Sequence, residues 1–156
     1  MKVIGTTKRK ILMKTPIWFH PTTIKDMNKR AEKTLAEYLQ IVFTEVGDDY
    51  VKGTMPVSEN HVQPLGILNG GASCVLAETI GSTAANYCVN QEKAYCVGLD
   101  INANHLRPAS KGTLIEATAK PIHIGAKTQV WHIDMSDQTH GKLICVSKLT
   151  VMVVLR

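Results

Sequence analysis

The chain has 156 residues, 44% of them hydrophobic and 20% charged, which is the composition of one globular domain able to remove roughly 70% of its unfolded surface from water. A catalytic domain with a separate cofactor domain is excluded, as are disordered, collagenous and coiled-coil classes. Lys and Arg number 18 against 13 Asp and Glu, a formal +5, and this excess favours nucleic acid, a membrane surface or a phosphate-bearing small molecule as partner.

Residues 1–20 show weak periodicity and read as an extended or irregular lead-in to a single domain over 21–156. The basic cluster Lys8-Arg9-Lys10 is followed by Ile11, Leu12 and Met13 and then at once by Lys14, too short an apolar run for a secretory core. From Thr23 the pattern becomes helical, with Ile24, Met27, Ala31, Leu35 and Tyr38 at helical spacing, and predicts an amphipathic helix over 23–38. Apolar runs over 39–46 and 50–57 flank Gly47-Asp48-Asp49 and predict a hairpin. A loop over 58–68 delivers the chain to Asn69-Gly70-Gly71, where a long apolar helix opens and runs to about Cys88. Four strand-like segments follow, at 94–106, 113–123, 128–136 and 143–155. In the third, Trp131, Ile133 and Met135 alternate with Val130, His132 and Asp134, so one face is apolar and the other solvated. The order predicts an α+β domain with one antiparallel sheet. One apolar helix covers one face of such a sheet, so another chain is expected to cover the remaining face or an edge.

Cys74, Cys88, Cys96 and Cys145 lie in apolar stretches without a C-x-x-C pair and read as buried, reduced thiols of a cytoplasmic protein. The apolar stretch 65–89 carries Asn69, Glu78, Asn86 and several Gly and Ser, which disfavours a membrane span.

Glu78 is the one charged side chain of the long helix, with Cys74 and Ser82 rather than cations a turn away. A helix apolar all round is a buried one, and an unpaired buried carboxylate is costly. Glu78 therefore either reaches solvent or a distant cation, or serves as general base or nucleophile. Asn69 is a good N-cap, and Gly70-Gly71 lets a ligand approach the free N–H groups of the first turn, so that end can hold an oxyanion. Ser82, one turn past Glu78, is placed either to orient a water or the carboxylate, or simply to pack. The Gly70 or Gly71 amide lies about 11–12 Å along the helix axis from Glu78. A reacting carbonyl cannot span that distance. If both groups act on it, they come from two subunits.

The run Met55-Pro-Val, Gln63-Pro-Leu-Gly, Asn69-Gly-Gly-Ala-Ser, Leu76-Ala-Glu-Thr-Ile-Gly-Ser82, and Val97-Gly-Leu-Asp-Ile-Asn-Ala-Asn-His105-Leu-Arg107-Pro resembles the hotdog-fold acyl-CoA thioesterases over residues 38–155. The likeness is to the branch that includes 1,4-dihydroxy-2-naphthoyl-CoA hydrolase, the enterobactin proofreading thioesterase and the Arthrobacter-type 4-hydroxybenzoyl-CoA thioesterase. It implies a sheet wrapped around one long helix and a homodimer or homotetramer with active sites across the dimer interface. By the same resemblance, Glu78 is the base or nucleophile, the Gly70 amide polarises the thioester carbonyl, Gln63 positions the reacting groups, and Ser82 holds the water or Glu78. His105 and Arg107 then lie near the CoA arm. Where the branch has His before the two glycines this chain has Asn69, whose amide can cap the helix and donate a hydrogen bond but carries no proton at neutral pH.

The six His form no H-E-x-x-H, no i, i+4 pair and no Cys/His cluster, so no metal is expected. His132 and Asp134 read as a solvated pair, and no helical cation or His activates Cys74 or Cys88. Few aromatics interleave with the cations, which disfavours nucleic acid, and no membrane partner is expected. The expected function is hydrolysis of an aromatic-type acyl-CoA, first 1,4-dihydroxy-2-naphthoyl-CoA as in menaquinone synthesis, to acid and CoA, with CoA as part of the substrate and no separate cofactor. A non-catalytic acyl-CoA-binding or regulatory hotdog protein is the alternative.

Overall fold

A computed structural model describes residues 15–156, so most of the lead-in lies outside the described residues. Its remainder is irregular and anchored: Ile17 N donates to Asp48 O at 2.9 Å, Phe19 N to Tyr87 O at 2.8 Å, and the Trp18 indole to Gly47 O at 2.7 Å.

The elements in chain order are α1 (Ile24–Ala31), α2 (Leu35–Tyr38), β1 (Val42–Val46), β2 (Val51–Pro56), a 3-10 turn (Glu59–His61), α3 (Gly70–Tyr87), β3 (Ala94–His105), β4 (Leu114–Ile124), β5 (Thr128–Asp137) and β6 (Leu143–Leu155). The strands form one sheet in the order β1-β2-β4-β5-β6-β3, every neighbouring pair antiparallel. The long helix α3 packs on β2 through β6.

The continuous helix expected over 23–38 is two pieces. Lys33 takes a left-handed φ of 58°, and Thr34 restarts the helix as an N-cap, accepting from Ala36 N at 3.2 Å while its hydroxyl donates to Ala31 O at 2.6 Å. The Glu37 carboxylate accepts the Lys33 N–H at 2.6 Å and holds the break. Leu35 and Tyr38, expected on the apolar face, therefore rotate into solvent. Leu39 caps α2 and Gln40 is left-handed at φ 52°, which delays β1 to Val42.

Strand alternation delivers the core. Trp131, Ile133 and Met135 are fully buried under α3 together with Ile115, Ala117, Ala119, Leu149 and Val151, while His132 and Asp134 pair at 2.9 Å on the wet face. At Gly53 a Cβ would lie 2.4 Å from the Ile80 side chain, so the helix sits closer to β2 than an alanine would allow. The helix is not buried all round as its composition suggested. Leu76, Ala77, Ile80, Gly81, Ala84 and Ala85 are buried, whereas Thr79, Ser82 and Thr83 are half-buried off that stripe and Glu78 is half-buried at its flank beside β3, because a single sheet does not surround the helix. Cys96 and Cys145 are buried, Cys74 and Cys88 half-buried, and all four are free. Among the described residues no helix is long and apolar enough to cross a membrane.

Candidate active site

The N-terminus of α3 is fixed before any ligand is considered. Asn69 N donates to His61 O at 2.8 Å. The buried imidazole of His61 is itself held between Ser58 Oγ and Leu39 O, each at 2.8 Å. Asn69 Oδ1 accepts from Gly71 N at 2.7 Å, which engages one of the two amides considered for an oxyanion. The Gly70 N–H, the first of the helix, has no carbonyl one turn back to receive it, and it is the donor available to a substrate oxygen.

Around Gly70 lies a cavity of about 420 Å³ lined by Gln63, Ser73, His105, Arg107 and Cys145 among others. Gln63 Oε1 accepts from Leu65 N at 2.5 Å inside a tight turn, so its side-chain NH2 is the end left for a ligand. The His105 ring lies on Gly70, where a Cβ would stand 3.0 Å from Nε2. Arg107 is exposed and braced by Nη1 donating to Leu143 O at 2.7 Å. The structure thus gathers Gln63, Gly70, His105 and Arg107 around one pocket, with Asn69 as the cap beneath it.

Glu78 and Ser82 line a different cavity of about 240 Å³, together with Arg30, Thr83, Asn86, Cys96, Val97 and Gly98. Burial pushes the Glu78 carboxyl above its ordinary 4.5. Among the described residues no cation pairs with it. Its carboxylate lies against β3 at Gly98, beside the bulge between Gly98 and Asp100. The Ser82 hydroxyl does not reach the carboxylate. It donates to the main-chain carbonyl of Glu78, as hydroxyls one turn on in a helix do, and its lone pairs remain to accept from a water. The Cys88 and Cys96 thiols are pushed up to about 12 and about 11 by burial, opposite to what a nucleophilic thiol needs.

Three residues of this half were not singled out in the sequence. Gly98 sits in an ordinary-looking strand. Asn86 accepts from Cys96 N at 2.8 Å and donates to Cys96 O at 3.1 Å and to Ser82 O at 2.9 Å, which clamps β3 to the helix. Arg30, on α1, reads as part of a solvated helix face. Within one chain the two cavities are separated by the rise from Gly70 to Glu78, about 12 Å.

A model of the thioesterase superfamily matches residues 65–144, more than half of the chain. The chain belongs to the thioesterase superfamily. Its six-stranded antiparallel sheet around α3 is the hotdog architecture of that group, and the chain is a thioester hydrolase. Among superfamily relatives, it is 43% identical to the 1,4-dihydroxy-2-naphthoyl-CoA hydrolase of Escherichia coli, over 88% of this chain and 99% of that protein. It is 52% identical, over 88% of this chain and 89% of the relative, to a Vibrio cholerae protein named only provisionally as an esterase. A solved structure of a Gln-to-Ala mutant thioesterase from Pseudomonas aeruginosa superposes with a TM-score of 0.86 at 38% identity, covering 90% of this chain and 99% of that one.

Proposed function

We propose that this thioesterase hydrolyses an aromatic-type acyl-CoA, with 1,4-dihydroxy-2-naphthoyl-CoA as the first substrate to try, at a site completed by a second copy of the chain. The observation that carries this reading is the separation of the two half-sites along α3. Glu78 rests against Gly98 on β3, which among the described strands pairs with β6 alone and leaves Tyr95, Val97 and Leu99 exposed along its length. Such an edge is a template for another strand, and a chain docked there brings its own Gly70 end towards this Glu78. The pairing makes a homodimer, or a homotetramer if two dimers associate.

In that site the Gly70 N–H and the Gln63 amide donate to the thioester carbonyl oxygen, whose negative charge grows as the carbonyl is attacked. Glu78 either takes a proton from a water accepted by Ser82, so that the water oxygen bonds to the carbonyl carbon, or attacks that carbon directly. Collapse of the tetrahedral adduct breaks the C–S bond, and the CoA thiolate leaves and is protonated. On the direct route, water then cleaves the resulting anhydride. His105 and Arg107 lie beside Gly70 at the mouth of its cavity and supply donors and positive charge for the CoA arm, the use to which the excess of basic residues best fits.

The test is a panel of aromatic and aliphatic acyl-CoAs with thiol release as readout. Turnover of the aromatic members, reduced on the order of 10²–10⁴-fold by Glu78→Gln, is the expected result. Saturable binding without thiol release would favour the non-catalytic role. One turnover in H₂¹⁸O identifies direct attack where water opens the anhydride at the Glu78 carbonyl, which leaves the label in Glu78 and gives the acid an enzyme oxygen, whereas the base route puts the label in the acid and none in Glu78.

A further inference from the structure

The cavity of Glu78 does not end at the carboxylate. A second cavity of about 290 Å³, lined by Met27, Ala31, Leu35, Phe43 and Thr79 among others, shares Arg30, Ser82 and Thr83 with it. The two cavities adjoin at these three residues, between α1–α2 and α3. Arg30 stands on the wall common to both. Its guanidinium donates to Gln91 Oε1 at 2.7 Å and lies 5.6 Å from the centre of the Tyr87 ring, and Tyr87 is about 13 Å of helix rise beyond Glu78.

The cation is exposed at the cleft wall and is positioned by these two contacts. Its helix is docked by the fully buried Met27, and Asn28 grips β1 from both ends of its amide, accepting from Phe43 N at 2.9 Å and donating to Phe43 O at 3.0 Å. Among the described residues no carboxylate pairs with Arg30. It is absent from the influences on the Glu78 carboxyl, which burial alone displaces. A positive, forked donor therefore stands on the wall shared by the two cavities, beside Tyr87 and Gln91.

We infer that Arg30 is a specificity-determining residue, which selects acyl groups carrying a hydroxyl or carboxylate oxygen on the edge distal to the thioester. This rests on the thioesterase reading of Glu78, because that fixes which end of the acyl group is proximal. The apolar walls take the ring and the guanidinium takes the oxygen. A ring with such an oxygen gains a charge-assisted hydrogen bond from the guanidinium that a plain ring lacks. Arg presents five donors in a fixed fork, which suits a phenolic or carboxylate oxygen better than a lysine ammonium does.

The experiment compares kcat/KM for 4-hydroxybenzoyl-CoA against benzoyl-CoA, and for 6-hydroxy-2-naphthoyl-CoA against 2-naphthoyl-CoA, in the native protein, Arg30→Met and Arg30→Lys. The native ratio favours the hydroxylated member, and Arg30→Met lowers that ratio on the order of ten- to a hundredfold, with Arg30→Lys between the two. A variant that merely folds poorly lowers both members together, so an unchanged ratio overturns the proposal. The same four thioesters are titrated calorimetrically into each protein on a Glu78→Gln background. Loss of hydroxyl preference in binding, in a native protein that releases no thiol, supports Arg30 while removing the hydrolase reading. Turnover with equal affinity and equal rate for both members removes Arg30 and keeps that reading.

Discussion

The Glu78 carboxylate occupies the space that a side chain on residue 98 would need: a Cβ on Gly98 would stand 2.4 Å from Oε1 and 3.2 Å from the carboxyl carbon. Gly98 is not in a left-handed conformation, so the requirement is for room rather than for backbone freedom. Gly98→Ala displaces only the end of a flexible side chain, which costs the fold little. It moves the carboxylate oxygen by about an ångström, and in the role proposed for Glu78 displacement on that scale costs on the order of 10² in rate. The expected result is a large fall in kcat with a melting temperature close to native, checked by steady-state kinetics beside thermal unfolding.

Burial of Glu78 sets two pH dependences of opposite use. Its carboxyl ionises above the ordinary 4.5 in the fold and near 4.5 in the unfolded chain, so the folded state holds the proton longer and loses stability as pH rises from the unfolded value through the raised one. Glu78→Gln removes that loss. The variant should unfold at a higher temperature than the native chain at neutral pH, with the advantage vanishing below about pH 4. Hydrolysis, which in the role proposed for Glu78 needs the ionised form, should fall on the acid side at a pH above 4.5.

A shared site makes a quantitative demand on mixed oligomers. Glu78→Gln and Gln63→Ala are each expected to be poorly active alone. In a two-fold dimer of one of each, one site is intact and the other carries both lesions, so an equimolar mixture after complete subunit exchange regains about a quarter of native activity. Recovery no greater than the sum of the parents, with exchange demonstrated by mass labelling, would place both residues of a site on one chain.

Asn69 is a cap in this structure, with Oδ1 engaged by Gly71 N. Asn69→Ala should cost about 1 kcal/mol in denaturant unfolding and lower kcat through a less fixed Gly70 amide. Asn69→Asp keeps the cap and should restore stability, so the two variants separate capping from any contact of the Asn69 amide with substrate.

Much of this was legible in the residues because the signals are local. A single charge in an apolar helix stands out, and axial rise converts Gly70 and Glu78 into a distance without any tertiary information. The break at Lys33 escaped because no Gly or Pro marks it and the apolar spacing continues through it. The local sign was Thr34 followed three residues later by Glu37, a helix-start pattern. Gly98, Asn86 and Arg30 were not legible for another reason. Each matters through a residue distant in sequence, Glu78, Cys96 or Tyr87, and only strand pairing and helix docking bring those together. The hydrogen bond of Ser82 to the main-chain carbonyl of Glu78 is a helix-backbone contact that the choice between water and carboxylate did not include.

The register of β3 carries a consequence for the order of folding. Among the described strands β3 pairs with β6 alone, with Gly98 opposite Val151, so apart from its clamp to α3 through Asn86 the strand that walls Glu78 has no backbone ladder until β6 forms. A partly folded chain that has joined β1, β2, β4 and β5 already has a helix, a core and an N-terminal cap, yet its carboxylate is unconfined. Hydrolytic competence is then among the last properties the chain acquires, and amide protection at Gly98 and Val151 should rise in step with it.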